Sequence, residues 1–152
     1  MRKRLLVVGA VVLALVLGVG TASFFALRGS SGSASAHPDA YGVTSDNVAA
    51  VRKLIAHGAL VLDVRSPTAF DAGKLAGSIN IPLAQIAARH GELSKNRTIV
   101  AVCHIGSLSY KAAYELDHMG YHAVNLAGGL KAWVAAGYPV VTSSGAPGQV
   151  LQ

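Results

Sequence analysis

Residues 98–109 read Thr98-Ile99-Val100-Ala101-Val102-Cys103-His104-Ile105-Gly106-Ser107-Leu108-Ser109. The first five are apolar or β-branched without alternation, the pattern of a strand buried on both faces of a parallel sheet. That strand stops directly at the chain's single cysteine. A short glycine-containing loop follows and opens a helix expected from about Ser107 to Met119, with Ala112, Ala113, Leu116 and Met119 inward and Gly120 as its stop. Successive N–H groups of such a loop can face inward, and a helix start adds positive potential equivalent to about half a charge. Both favour negative charge on sulfur. Gly106 lets the loop curve without a Cβ entering the cradle, and Ser107 and Ser109 offer hydroxyl donors and helix caps. From these residues alone two readings stand: a nucleophilic thiolate able to carry one sulfur atom as a persulfide, or an inert cysteine closing a core strand.

Outward from this segment the pattern alternates between strand and helix. Thr44 or Ser45 can cap a helix whose inner stripe is Val48, Val51, Leu54 and Ile55, closed by Gly58. Ala59-Leu-Val-Leu62 is a short apolar strand ending at Asp63, and Ser66-Pro67 starts a short helix that Gly73 ends. Ser78–Ile81 is a brief strand stopped by Pro82, with a helix from Leu83 to about His90 after it. His122–Leu126 is the next strand, Gly128-Gly129 turn it into a helix around Lys131 to Ala136, and Tyr138–Val141 closes the domain. Four strand–helix alternations predict an α/β fold, a mostly parallel central sheet flanked by helices on both faces. Ligands of such sheets bind beyond the carboxyl ends of the strands, where Cys103 falls.

The ends of the 152-residue chain read differently. Met1-Arg-Lys-Arg4 precedes an uncharged run from Leu5 to Leu27, closed by Arg28. As a helix such a run is roughly 34 Å long, enough to cross a bilayer. Residues 1–28 are therefore expected to be an N-terminal transmembrane anchor, the alternative being a signal peptide cut after Ala22 or Ala36. In either case the basic start stays cytoplasmic and the domain lies outside it, tethered to the membrane or secreted. Residues 29–42 are expected to form a flexible linker and residues 142–152, rich in Gly and Ser, a fraying tail, which leaves 43–141 as the domain. The net charge of +6 belongs mostly to the leader: residues 37–152 carry nine bases against seven acids. With no basic stripe and no interleaved aromatics, nucleic acid is not an expected partner. A single cysteine excludes an internal disulfide and a multi-cysteine metal site.

Four stretches in this order resemble the rhodanese family of sulfurtransferases, in single-domain form, from about Val43 to Val141. They are Leu62-Asp-Val-Arg-Ser-Pro67, Gly73-Lys-Leu-Ala-Gly-Ser-Ile-Asn-Ile-Pro82, Cys103-His-Ile-Gly106 with Ser109, and Asn125-Leu-Ala-Gly-Gly129 followed by Trp133, Gly137, Pro139 and Val140. The resemblance implies a three-layer rhodanese-like fold with Cys103 as the persulfide-forming nucleophile and the amides of residues 104–108 as its cradle. It implies a small sulfane-sulfur donor, thiosulfate or a persulfide, and a thiophilic acceptor, a thiol or cyanide, with no metal and no organic cofactor. Substrate contacts then fall to His104, Ile105, Gly106, Ser107, Leu108 and Ser109, with Asp63 and Arg65 supporting the ligand end of the sheet.

The chain departs from the family where charge is concerned. Many active members carry Cys-Arg-x-Gly-x-Arg-Ser; here His104 and Leu108 stand in place of the arginines. A lost bidentate contact worth about 2 kcal/mol weakens capture of an anionic donor roughly thirty-fold. Efficient use of thiosulfate is therefore not expected, and a small, less charged persulfide suits Leu108 better. Lys74 and Ala69 also replace a common histidine and a frequent acid. The rival functions are a catalytically weak domain that docks a partner protein, redox handling of a partner's thiols, and an arsenate-reductase or phosphatase relative. Loop length and charge count against the last.

Overall fold

The computed structural model describes Asp39 and residues 42–152. The expected anchor or signal peptide, and all but Asp39 and Gly42 of the expected linker, lie outside the described residues. Among the described residues no helix is long and apolar enough to cross a membrane. In chain order the elements are β1 (Thr44–Asp46), α1 (Val48–Ala56), β2 (Leu60–Asp63), α2 (Pro67–Ala72), β3 (Ile79–Asn80), α3 (Ile86–Arg89), β4 (Ile99–Val102), α4 (Ser107–His118), β5 (Ala123–Leu126) and α5 (Gly129–Ala135).

The strands form one sheet in the order β1-β5-β4-β2-β3, with every neighbouring pair parallel. Side-chain alternation along β4 divides the core into two layers. Ile99, Ala101 and, just beyond the strand, Cys103 pack with Leu62, Ile86, Ala112 and Leu116 on one face. Val100 and Val102 pack with Val51, Val61, Leu126 and Leu130 on the other. Helices thus cover both faces, and the α/β fold with a parallel central sheet flanked by helices is the one the sequence pattern predicts.

The strand order also fixes where a ligand belongs. From β2 the chain moves outward to β3, then crosses back to place β4 on the other side of β2 and continues to β5. The loops leaving β2 and β4 therefore diverge, opening a crevice at their carboxyl ends. Asp63 and Val102 are register partners at that edge, so Arg65 and Cys103 enter the same crevice.

Local departures from the sequence pattern have identifiable causes. Thr44 and Ser45 do not cap α1 but belong to β1, paired with Val124 and Asn125; the cap is Asn47, whose side chain accepts from Ala50 N at 3.0 Å. The expected helix from Leu83 to His90 is broken into a 3₁₀ turn at Leu83–Gln85, the four-residue α3, and a second 3₁₀ turn at His90–Glu92. Where Tyr138–Val141 closes the domain, Val141 bridges Lys74 and Pro147 in antiparallel sense. The segment after Val141, expected to fray, makes backbone bonds to the domain in this structure. Gly148 N donates to Val140 O at 2.9 Å, Gln149 N to Ala72 O at 2.8 Å, and Val150 packs against the second core layer.

One contact positions the loop after β4. The first turn of α5 lies against it, with Leu130 N donating to Cys103 O at 2.8 Å and Lys131 N to His104 O at 3.0 Å. Gly129 makes the approach feasible: φ is +59°, and a Cβ there would stand 2.5 Å from Cys103 O and 2.7 Å from Gly106 N. Both the backbone conformation and the space require glycine. Gly129→Ala is therefore expected to destabilise the protein by about 2–4 kcal/mol. Gly137→Ala, with φ of +83° but open space around the new methyl, is expected to cost only about 1 kcal/mol. Urea denaturation of the two variants measures the difference.

Candidate functional site

Cys103 follows the last residue of β4 and is 1% exposed, at the base of a cavity of about 410 Å³. The sequence pattern leads one to expect an exposed sulfur; the structure buries Cys103 with the core layer of Leu62, Ala112 and Ala113, and its cavity is also lined by Ile105, Leu108 and Gln152. Two groups address Sγ. Gly106 N donates to it at 3.1 Å, and the Ser109 hydroxyl lies 3.3 Å away. Gly106 takes φ of +95°, and that left-handed turn aims its amide back at residue 103. Of the amides from 104 to 108, Gly106 makes the hydrogen bond to sulfur.

The two loop serines do different things. Neither caps α4: Gly106 occupies the cap position without a side-chain bond. Ser107 is exposed on the cavity wall, whereas Ser109 is fully buried one turn into the helix. Its hydroxyl sits 2.8 Å from Asn125 Oδ1 as well as 3.3 Å from Sγ, with only one proton to give. With a thiol, Ser109 donates to Asn125 and can accept S–H; with a thiolate, the same proton can turn to sulfur. Asn125 in turn donates to Ser45 Oγ at 3.0 Å, linking the sulfur to β5 and β1. Residue reading did not assign Asn125 this part. The available signal was a polar residue within the otherwise apolar, buried strand Ala123–Leu126.

The remaining loop residues set the character of the mouth. Ile105 and Leu108 are 54% and 42% exposed and form an apolar rim. His104 lines this cavity and also a neighbouring one of about 610 Å³, walled by Lys131, Val134, Tyr138 and Val150 among others.

On the opposite wall stands Arg65, buried with Asp63 in an ion pair of 2.6 Å. Arg65 Nε also bonds the carboxylate, and Arg65 N donates to Asp63 Oδ1 at 3.0 Å. The guanidinium further donates to Gly73 O at 2.6 Å and Leu151 O at 3.0 Å. A buried pair of this kind needs such extra partners to offset desolvation. Asp63 and Arg65 thus tie the end of β2 to α2's exit and to the last residues of the chain. At the same sheet edge, burial pushes the Asp46 carboxyl up from its ordinary value. Trp133 is core, its Nε1 donating to Pro139 O at 3.1 Å. His57 and His118 bond carbonyls of their own helices, and His90 lies against Tyr121, all away from the cysteine.

The chain is similar to a sulfurtransferase of Allochromatium vinosum, 36% identical over 87 residues, which span 57% of this chain and 81% of that protein. It is also 35% identical over 96 residues to the thiosulfate sulfurtransferase GlpE of Pseudomonas aeruginosa, covering 62% of this chain and 86% of the relative. Among solved structures, a rhodanese-related protein from Thermoplasma volcanium superposes with a TM-score of 0.61 at 34% identity, over 64% of this chain and 96% of the other. These likenesses, with a single buried cysteine at the sheet's switch point, support a sulfurtransferase function in general terms. The model of the rhodanese-like domain matches residues 47–136, well over half of the chain, and the protein belongs to that family.

Proposed function

We propose that the protein transfers sulfane sulfur from a small, weakly charged donor to a thiol acceptor through a persulfide on Cys103. The supporting observation is the Gly106 amide 3.1 Å from Sγ, in a cavity with room beyond the sulfur. The Cys103 thiolate attacks the donor's outer sulfur; the new S–S bond, about 2.05 Å long, forms as the donor's own bond breaks. The electron pair leaves with the donor fragment, sulfite from thiosulfate or a thiolate from an organic persulfide. An acceptor thiolate then attacks the outer sulfur and returns Cys103 to its thiolate. Gly106 N–H and the Ser109 hydroxyl supply hydrogen bonds to whichever form carries negative charge.

Donor choice follows from the rim. Ile105 and Leu108 offer no charge to an incoming dianion, and Arg65 is already engaged by Asp63, Gly73 O and Leu151 O. An alkyl persulfide loses less water on entering such a mouth than thiosulfate does. The basic start and uncharged run of residues 1–28 support a place outside the cytoplasm, held at the membrane.

The exposed Ile105 and Leu108 also favour a second reading, a domain whose cysteine no longer turns over and whose apolar rim docks a partner protein. Intact mass separates the two. After treatment with an organic persulfide donor, the protein is expected to gain one sulfur atom and lose it to added thiol, and Cys103→Ser is expected to gain none. Equal steady-state transfer by parent and Cys103→Ser leaves only the docking reading.

Leu108→Arg tests the basis of donor choice. Because residue 108 is 42% exposed, solvent screens part of the restored contact. The variant is expected to raise kcat/KM for thiosulfate by about tenfold relative to an alkyl persulfide. Parallel steady-state assays with the two donors measure the ratio.

A further inference from the structure

The segment from Gly148 to Gln152 does more than finish the fold. Gln152 lines the cysteine cavity together with Cys103, Ile105 and Leu108. Leu151 O accepts from Nη1 of Arg65, and Arg65 supplies the one guanidinium in that wall among the described residues. Upstream, Gly148 N and Gln149 N hold the segment to Val140 and Ala72. The backbones pass so close that a Cβ on Gly73 would lie 2.3 Å from Gln149 O, and one on Gly148 would lie 2.8 Å from Gly73 Cα.

We propose that residues 148–152 form a strap that determines which molecules reach Cys103. Leu151 and Gln152 are its specificity-determining residues. In the seated position Gln152 narrows the mouth and Leu151 O occupies the guanidinium hydrogen that otherwise faces an anion. The seated strap selects small, weakly charged sulfur compounds such as short alkyl persulfides; a displaced strap admits larger and anionic ones. The inference deepens the sulfur-transfer proposal by naming what sets its donor class, and rests on that proposal for its meaning.

Gly73 provides a way to lift the strap without touching the cysteine loop. Its φ of 176° is extended backbone that alanine adopts freely, so the new methyl acts through its clash with Gln149. Alkylation of Cys103 in the full chain reads the result independently of sulfur transfer, using iodoacetamide, iodoacetate and a pyrene maleimide. Gly73→Ala is expected to raise the rate ratio of pyrene maleimide to iodoacetamide by about tenfold, as the mouth widens. It is expected to raise the ratio of iodoacetate to iodoacetamide by about threefold, as Arg65 Nη1 is released. Gln152→Trp is expected to lower the first ratio by about fivefold, a change in the sense opposite to unfolding. All three shifts are required, and any one of them staying within about twofold of the parent overturns the strap. A protein that shows the three shifts but gains no sulfur from donors keeps the strap and loses the transfer function.

Discussion

Two hydrogen bonds from the first turn of α5 to the carbonyls of Cys103 and His104 hold the site in its form. A loop after a strand has no inherent reason to turn its amides toward one side chain. Here the carbonyls of residues 103 and 104 are engaged by Leu130 N and Lys131 N, and the chain reverses at Gly106 so that its amide meets Sγ. The helix-start amides that donate are groups the helix itself leaves without partners. One arrangement therefore satisfies the orphan donors of α5 and the carbonyls of the cysteine loop together. The glycine pair Gly128-Gly129 is the cost in sequence freedom, since a side chain at 129 would occupy the space the loop needs.

The sheet topology supplies the second constraint. Because β2 and β4 are neighbours whose outgoing chains diverge, the loop bearing Arg65 and the loop bearing Cys103 border one crevice. Asp63 anchors Arg65 there at 2.6 Å, deep enough that removing either partner is expected to cost about 3–5 kcal/mol. Such a pair contributes little net stability compared with an apolar replacement. Its geometric effect is greater: Asp63, Gly73 O and Leu151 O all meet at the Arg65 guanidinium, which joins the end of β2 to two more distant parts of the chain.

What the sequence disclosed follows from the range of the forces involved. β2 and β4 were legible because a strand buried on both faces must be apolar along its length, and α4 because Ala112, Ala113 and Leu116 repeat at helical spacing. β1 was not, since Thr44-Ser45-Asp46 has the composition of a helix cap; pairing with β5 overrides that local preference. The last eleven residues resemble a linker in composition, yet Gly148 and Gln149 make backbone bonds to Val140 and Ala72. Contacts between backbones leave no mark in side-chain pattern except the glycines that permit them, Gly73 and Gly148. Cys103 itself was legible from its place at a strand's end, but not its depth, which comes with membership of the core layer between the sheet and α4.

The chemistry of the cradle is that of backbone and hydroxyl dipoles. Within the cysteine loop no side chain carries a fixed positive charge, and Arg65 across the cavity is balanced by Asp63. What remains for an anion on sulfur is the Gly106 amide, the Ser109 hydroxyl and the start of α4, a helix of 12 residues with a full terminal dipole. Dipoles of this kind stabilise a single negative charge by about 0.3–2 kcal/mol, depending on burial. A dianion brings a far larger desolvation cost into the same cavity, where the one guanidinium among the described lining residues, that of Arg65, is already paired with Asp63. That balance is the basis for proposing a reaction in which one negative charge moves between sulfur atoms.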